Sequence, residues 1–381
     1  MPAAWGFPVK TCAYMTVAAA TALLLAPAAP GAGVVRTLDA RLEGDVNFAD
    51  GRIEVGGTSV PWDDVLCVFP HTGAAPRTFS AAVRFTSGEI WRGDILGLSA
   101  GKLSVRLGRL GRREADARRI ANLEFSWAPS AGGWAAGLHR EQGEPVPGTL
   151  LWIDETRLAI DSPLGVLTLG RAGLIRYVFP SPAFEPQPTV FDEVGLADGS
   201  VLRGKARPVA GGVQLEHPVL GSLSRTTGEV RFVARHSGRA IALTSCPQRS
   251  VEAPGLVTPR TAGPVEYGTA SEGSPATPAC LVAMRVQPKT VVRYTVPPEA
   301  AGKSLLVARV APVEGSRGDV RVRVSVGATP IFEGELAPGS RPLPVRAPLP
   351  QGDELALEVD FGTRIGFPCG AVFEDPMLVR R

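Results

Sequence analysis

A repeated pattern of short strands and glycines between residues 37 and 233 most constrains how this 381-residue chain can fold. Its recurring glycines are separated by 49, 55 and 56 residues, and they are Gly44, Gly93, Gly148 and Gly204. Around them apolar and polar residues alternate with a period of two, which predicts strands with one buried face. Repetition at a near-constant spacing indicates several copies of one small β-unit.

The copies are predicted to be short meanders of four or five strands, with Asp-Gly and Gly-Gly pairs supplying the positive φ of tight hairpins. Such a unit cannot bury both faces of a flat sheet, so each should curl into a small barrel or β-roll, or pair with its neighbour. We expect the units at residues 37–70, 81–125, 137–179 and 192–233, the first being the shortest.

In the fourth copy, the turn Asp198-Gly199-Ser200 is followed by Leu202 and Gly204. This pattern resembles the Sm-like or SH3-like small β-barrels that occur in repeat in exported bacterial proteins. The proline-rich residues 180–191 are predicted to form an extended linker between the third and fourth units.

The first residues indicate export. Lys10 is followed by an uncharged run, residues 11–25, and then by small residues, which is a signal-peptide pattern. The run is shorter than the roughly 20 apolar residues of a spanning helix, so cleavage after Ala28 is favoured over a retained anchor. With residues 1–28 removed as signal peptide, no membrane span is expected, and the chain should be periplasmic, cell-surface or extracellular.

Composition supports a folded, turn-rich β-protein. The chain has 44 Gly and 35 Pro, yet 44% of its residues are hydrophobic, which argues against disorder. The net charge of +3 is small for this length, so nucleic-acid binding is not expected. Together with the repeats, this predicts an all-β fold throughout.

Beyond Ser237 the repeat stops, and a loop-rich stretch is followed by strands separated by Pro and Gly. Short antiparallel strands of this kind predict a sandwich over residues 238–381. We expect its strands at residues 283–286, 291–296, 304–310, 320–326, 329–334, 354–359 and 371–379.

The order of features here, from residues 241–244 through 286–288 and 320–327 to Phe373 and Asp375-Pro376, is similar to a known family. It resembles the novel carbohydrate-binding modules, galactose-binding-like jelly rolls commonly attached to exported bacterial enzymes. The resemblance implies a jelly roll that binds carbohydrate. Most aromatic residues of this domain should pack in its core, but Phe361, Arg364 and Phe367 lie in the loop nearest the rim and are the expected carbohydrate-binding residues.

Without Cys12, which lies in the leader, four cysteines remain: Cys67, Cys246, Cys280 and Cys369. Disulfides and buried apolar thiols are both open interpretations. In a jelly roll of the resembled family the first and closing strands lie close together, which implies a Cys280–Cys369 disulfide. The pairing of Cys67 with Cys246 is left open. No cysteine or histidine cluster has metal-ligand spacing, so we expect no metal ion or cofactor.

Candidate catalytic motifs fail on their context. Gly97, Ser99 and Gly101 fit G-x-S-x-G, but a hairpin is predicted where a nucleophile elbow needs a parallel strand and a helix. The adjacent carboxylates Asp63-Asp64 and Glu374-Asp375 should point to opposite faces of a strand. We expect surface or turn positions for the isolated histidines His71, His139, His217 and His236.

The densest basic stretch, residues 109–119, is predicted to be a solvated loop or short helix, and the alternative is a site for an anionic envelope polymer. These observations predict an exported, non-catalytic bacterial protein whose C-terminal sandwich binds a glycan or another cell-envelope component. The alternative is an envelope scaffold without a small-molecule ligand. No catalytic residue is expected.

Overall fold

The computed structural model describes residues 32–71, 81–126, 135–180, 182, 190–253, 264–269, 282–364 and 368–380. Within these ranges the regular elements are β-strands and single turns of 3₁₀ helix, so the predicted all-β class with several antiparallel sheets is confirmed. No helix in the described part of the chain has the length and apolarity needed to cross a membrane.

The strands follow one another in five groups. The first group is β1 (Gly33–Thr37), β2 (Arg41–Gly44), β3 (Val46–Ala49), β4 (Arg52–Val55), β5 (Thr58–Pro61) and β6 (Val65–Phe69). The second is β7 (Ala82–Phe85), β8 (Ile90–Arg92), β9 (Asp94–Ser99), β10 (Lys102–Arg106), β11 (Arg112–Asp116) and β12 (Ile120–Glu124). The third is β13 (Gly137–Arg140), β14 (Thr149–Ile153), β15 (Arg157–Ser162), β16 (Gly165–Gly170) and β17 (Leu174–Val178). The fourth is β18 (Phe191–Leu196), β19 (Val201–Val209), β20 (Gly212–His217), β21 (Gly221–Thr226) and β22 (Val230–His236).

The C-terminal group contains the remaining strands. They are β23 (Ala240–Ala242), β24 (Gln248–Glu252), β25 (Val265–Thr269), β26 (Val282–Val286), β27 (Thr290–Thr295), β28 (Ser304–Pro312), β29 (Val320–Val326), β30 (Thr329–Leu336), β31 (Leu343–Pro348), β32 (Glu354–Phe361) and β33 (Ala371–Arg380). Single turns of 3₁₀ helix lie at Trp62–Asp64, Gly108–Leu110, Ala117–Arg119, Thr227–Glu229 and Leu243–Ser245.

In each of the first four groups, called units 1 to 4 below, the first strand pairs antiparallel with the last: β1 with β6, β7 with β12, β13 with β17, and β18 with β22. In units 1, 2 and 4 a 3₁₀ turn directly precedes the last strand. The strand β1 begins at Gly33, so unit 1 starts before residue 37, where the sequence analysis placed its beginning.

The units are joined edge to edge in a 13-stranded sheet. The last strands of units 2 and 3 pair with each other, as do those of units 4 and 1, and β8 meets β19 between units 2 and 4. The spatial order of the units is therefore 3, 2, 4, 1. A hydrophobic core shared by all of them lies beneath this sheet, and its largest fully buried side chains include Trp91 and Tyr177.

Three of the recurring glycines share one feature, which is a close approach to the backbone of a neighbouring strand. A Cβ on Gly93, Gly148 or Gly204 would collide with a backbone carbonyl oxygen, that of Arg106, Asp161 or Glu216. Because the backbone of the neighbouring strand occupies the place of a Cβ, these positions exclude any side chain.

The C-terminal group forms two antiparallel sheets, one of six strands containing β33 at its centre and one of five containing β32. Their facing apolar residues form a separate core, within which the Tyr294 hydroxyl lies 3.1 Å from the Met284 Sδ atom. Four strands were not expected from the sequence. They are β23, at the entry to the domain, β24 and β25, which lie in the stretch predicted to be loop-rich, and β31, which contains prolines and lies at the edge of its sheet.

Unit 1 contacts the sandwich directly. Leu66 of β6 packs with Met377 and Val379 of β33 in a small buried cluster. Beside it, Arg36 lies 3.9 Å from the carboxylate of Asp375, and both side chains are buried.

Candidate functional site

The loop that follows β32, here called the rim loop and comprising residues 361–369, contains the carbohydrate-binding residues expected from the sequence. Asp319, just before β29, braces the first part of this loop, at Thr363 and Arg364. Its carboxylate accepts hydrogen bonds from the backbone N–H of Thr363 at 2.6 Å, from the Thr363 hydroxyl at 2.8 Å and from the N–H of Arg364 at 3.0 Å. These hydrogen bonds lower the pKa of Asp319, so its carboxylate stays ionised and the loop stays braced.

The structure places two of the three expected residues at the rim. In β32 the residues Leu355, Leu357 and Val359 point into the sandwich core, and Phe361, at the end of the strand, is half-buried. Arg364 is exposed. Phe367 lies outside the described residues.

Cys67 and Cys246 carry free thiols. Cys67 is buried between units 1, 2 and 4, and Cys246 is buried in the sandwich core, so they belong to separate clusters. Burial raises the pKa of Cys246 to about 11, which keeps its thiol protonated and unreactive. Cys280 lies outside the described residues, and its disulfide with Cys369 stays a prediction.

A cavity of about 740 Å³, here called the cleft, lies where units 1, 2 and 4 meet. Its lining includes two aromatic side chains, Trp62 and Phe191, and several charged residues. The charged residues come mainly from β19 and β22 and from the segment before β8. Apart from Arg203, Lys205 and Arg207, which alternate on β19, these residues are far apart along the chain and no sequence motif joins them.

At one wall of the cleft a buried carboxylate meets a buried histidine. The Nε2 atom of His217 lies 2.6 Å from Glu89 Oε1. Its Nδ1 atom accepts hydrogen bonds from the backbone N–H groups of Val219 and Leu220, both at 3.0 Å. Nε2 therefore carries the proton and donates it to Glu89. With both nitrogens engaged, His217 is fixed in one tautomer and has no free lone pair for a base.

The expectation that all four histidines occupy surface or turn positions is wrong for two of them. His217 is 4% exposed and His139 is 6% exposed. A single sequence shows no partner for a buried histidine, because Glu89 lies 128 residues away from His217. His71 is exposed, as expected.

Stacked rings and ion pairs fix the arginines of the cleft. Phe191 stacks on the ring of His236 with centroids 4.2 Å apart, and the Arg203 guanidinium lies 4.6 Å from the Phe191 centroid. Arg203 also pairs with Glu193 at 2.5 Å. Although burial opposes ionisation of Glu193, hydrogen bonds from His236 and Arg203 lower its pKa.

A second arginine is held in the same manner. The Arg235 guanidinium lies 4.7 Å from the Trp62 ring and 3.4 Å from the carboxylate of Asp192. Burial raises the pKa of Asp192, against the effect of Arg235 and of the hydrogen bond from the Ala206 N–H. The Trp62 indole N–H donates to the Ala206 carbonyl at 3.2 Å, which locks the ring.

The G-x-S-x-G motif takes the hairpin position that its context predicted, whereas Asp63 and Asp64 lie in an exposed 3₁₀ turn and not in a strand as expected. Ser99 ends β9, pairs with Lys102 and is followed by Ala100 and Gly101 at positive φ, so the G-x-S-x-G match is a hairpin. Across the described ranges, no three His, Cys, Asp or Glu side chains are grouped to hold a metal ion.

The basic stretch 109–119 differs from its expected loop or short helix. Its central residues, 112–116, form the strand β11, which pairs with β10, and 3₁₀ turns flank this strand. Its charged residues suit an edge strand of the six-stranded sheet that units 2 and 3 share. Its last residue, Arg119, lines the cleft.

No family model and no curated protein matches this chain. Known structures of low similarity are mainly carbohydrate-binding modules of family CBM51. The module from the Clostridium perfringens GH95 protein, in complex with methyl-galactose, is 14% identical with a TM-score of 0.29, covering 37% of this chain and 99% of that one. A structure of CBM51-2 with GlcNAc and INT domains from C. perfringens ZmpB is 11% identical with a TM-score of 0.29, covering 48% of this chain and only 44% of its own. An exo-β-1,3-galactanase from Phanerochaete chrysosporium, with galactose, is 11% identical with a TM-score of 0.23, covering 86% of this chain and 77% of that one.

Proposed function

We propose that this protein is exported and binds carbohydrate, without catalysing a reaction, through the rim loop of its C-terminal sandwich. The observation that carries the proposal is the braced loop itself. A half-buried aromatic ring, Phe361, and an exposed cation, Arg364, lie within one short segment whose backbone Asp319 fixes. An aromatic face for the sugar ring and a donor for its hydroxyls are what a sugar site requires.

The modules of the proposed protein are the signal peptide 1–28, the units 37–70, 81–125, 137–179 and 192–233, the linker 180–191 and the sandwich 238–381. Export is supported by the leader pattern in the sequence. A non-catalytic role is supported by the fully occupied ring of His217 and by the hairpin position of Ser99. A Cys280–Cys369 disulfide would tie the rim loop to the segment before β26.

Titration of the full chain against glycans selected on an array tests the binding site. We expect Phe361→Ala and Arg364→Ala each to weaken binding about tenfold, equivalent to about 1.4 kcal/mol. Matched controls in the same sheet are Phe332→Ala, a half-buried ring on β30, and Arg323→Ala, an exposed arginine on β29 paired with Glu333. The controls should leave affinity unchanged.

A structural role in the cell envelope is the second candidate. The continuous 13-stranded sheet through all four units favours it, because shared strand pairing makes a stiff body. If no glycan binds and the purified chain self-associates in sedimentation measurements, the scaffold replaces the glycan-binding proposal. Equal affinity of the wild type and both rim variants for a bound glycan would remove the rim loop as the site.

A further inference from the structure

The strand β19 directs three cations at alternating positions into the cleft. Arg203, Lys205 and Arg207 all line it, and residues two apart on a strand lie on the same side. Arg119 and Arg235 add two more positive charges from other elements. Five cationic side chains therefore line the cleft, against three acidic ones, Asp63, Glu89 and Asp192, a surplus of two positive charges.

Most of the acidic groups are already committed to partners. Glu89 accepts from His217 and from the backbone N–H of Arg203 at 3.2 Å, and Asp192 accepts from the Ala206 N–H at 2.7 Å. Arg203 is held by Glu193 behind the lining, and Arg235 by Asp192. These pairs orient the two guanidinium groups without neutralising the rest of β19.

Two exposed cations remain without an ion pair among the described residues. Arg207 donates to the neutral amide oxygen of Gln214, with a shortest distance of 2.5 Å. Lys205 lies opposite Glu216 in the strand register, but the Glu216 carboxylate accepts instead from Gln214 at 3.1 Å and Ser222 at 2.8 Å. Lys205 and Arg207 are thus available to an anion that enters the cleft.

The remaining chemistry of the cleft indicates the kind of anion. Trp62 is 8% exposed and the Phe191 ring already stacks with His236, so the described lining offers no bare ring on which nucleic-acid bases could stack. Ser87, Ser237 and the exposed carboxylate of Asp63 supply donors and acceptors for hydroxyl groups. A volume of about 740 Å³ is within the usual range for a pocket that holds a small ligand.

We propose that the cleft binds an acidic oligosaccharide, with Lys205 and Arg207 binding the carboxylates of its uronic acid residues. Charge-assisted hydrogen bonds to carboxylates are the strong contacts of this site, and arginine is suited to bidentate ones. This site is separate from the rim loop, and it needs neither Phe361 nor Arg364.

Isothermal titration of the full chain with oligogalacturonate at low ionic strength tests the proposal. Neutral oligogalactose is the matched ligand control, because it lacks the carboxylate. We expect Lys205→Gln and Arg207→Gln each to weaken oligogalacturonate binding about tenfold and to reduce its salt dependence. Lys102→Gln and Arg157→Gln, exposed cations of units 2 and 3, remove the same charge elsewhere and should leave affinity unchanged.

The outcomes separate this site from the rim loop and from unspecific charge attraction. Phe361→Ala should not alter oligogalacturonate affinity, so either proposal can fail alone. Failure of oligogalacturonate to bind, or equal binding by the wild type and both β19 variants, would overturn the proposal. So would binding of single-stranded DNA or poly-glutamate as tight as that of the uronate chain and lost in the same variants.

Discussion

At the residue scale, three of the recurring glycines leave no room for a side chain, because a backbone carbonyl oxygen lies where the Cβ would be. A Cβ on Gly204 would collide with the Glu216 carbonyl oxygen of the next strand. We expect Gly204→Ala to lower the free energy of unfolding by about 1–3 kcal/mol, because β19 and β20 must separate to admit the methyl group. Urea denaturation followed by circular dichroism measures the change.

Gly228 is the matched control in the same unit, because a Cβ there meets nothing within 4 Å and its φ is not positive. Gly228→Ala should leave stability unchanged or raise it slightly. Equal effects of the two substitutions would contradict the steric explanation.

The spacing of the glycines was visible in the sequence, whereas the Glu89–His217 pair was not, since nothing local marks a contact between residues in different units.

At the element scale, a buried carboxylate joins the strands at which units 2 and 3 meet. Glu124 on β12 lies 2.5 Å from Arg84 on β7 and 2.9 Å from Arg176 on β17. Glu124→Gln removes the charge that compensates both arginines, so we expect a loss of about 3 kcal/mol or more in unfolding free energy. Thermal and denaturant unfolding of the two proteins measure it.

The control for that substitution is Glu333→Gln, which breaks the exposed pair with Arg323 and should cost at most about 1 kcal/mol. If Glu124→Gln also lowered the unfolding free energy by no more than about 1 kcal/mol, the two arginines would have to find other partners or water.

Strand prediction in the sandwich succeeded where alternation was regular, as in β29, and failed at β31. Pro344 and Pro348 lack N–H donors and argue against a strand. The strand forms because it lies at the sheet edge and pairs only with β28, so one side needs no donors. Edge position depends on the whole fold, and sequence periodicity does not report it.

The rim residues Phe361 and Arg364 were accessible to sequence analysis because they adjoin a regular strand. The cleft residues were not, because they meet only through the order of the units.

At the scale of the whole molecule, Asp375 makes the contact between unit 1 and the sandwich sensitive to pH. Burial raises the pKa of Asp375 to about 6, although Arg36 acts in the opposite direction. Between the unfolded value near 4 and this value the folded state holds more protons, so stability falls as pH rises through this window. A shift of about two units corresponds to about 3 kcal/mol at neutral pH.

Asp375→Asn keeps the side-chain shape and tolerates the positive φ of 48° at this position. We expect it to stabilise the protein at pH 7 and to have little effect at pH 4, in denaturant unfolding measured across that range. Asp360→Asn is a control with the opposite sign. Burial opposes ionisation of Asp360, but the hydrogen bonds from Lys289 and the Phe361 N–H, together with the charges of Lys289 and Arg321, lower its pKa. A stability difference for Asp375→Asn that does not change with pH would contradict the assignment.

The order of the units, 3, 2, 4, 1, also determines how long some strands lack their partners during synthesis. The strand β6 leaves the ribosome early, but its partner β22 follows about 160 residues later. At roughly 5–20 residues per second, this edge of the nascent chain waits on the order of ten seconds or more for its partner. During that time its N–H and C=O groups can pair with any other strand in the cell. If synthesis ended within unit 3, β22 would be missing, and the unpaired edge of β6 would be open to aggregation.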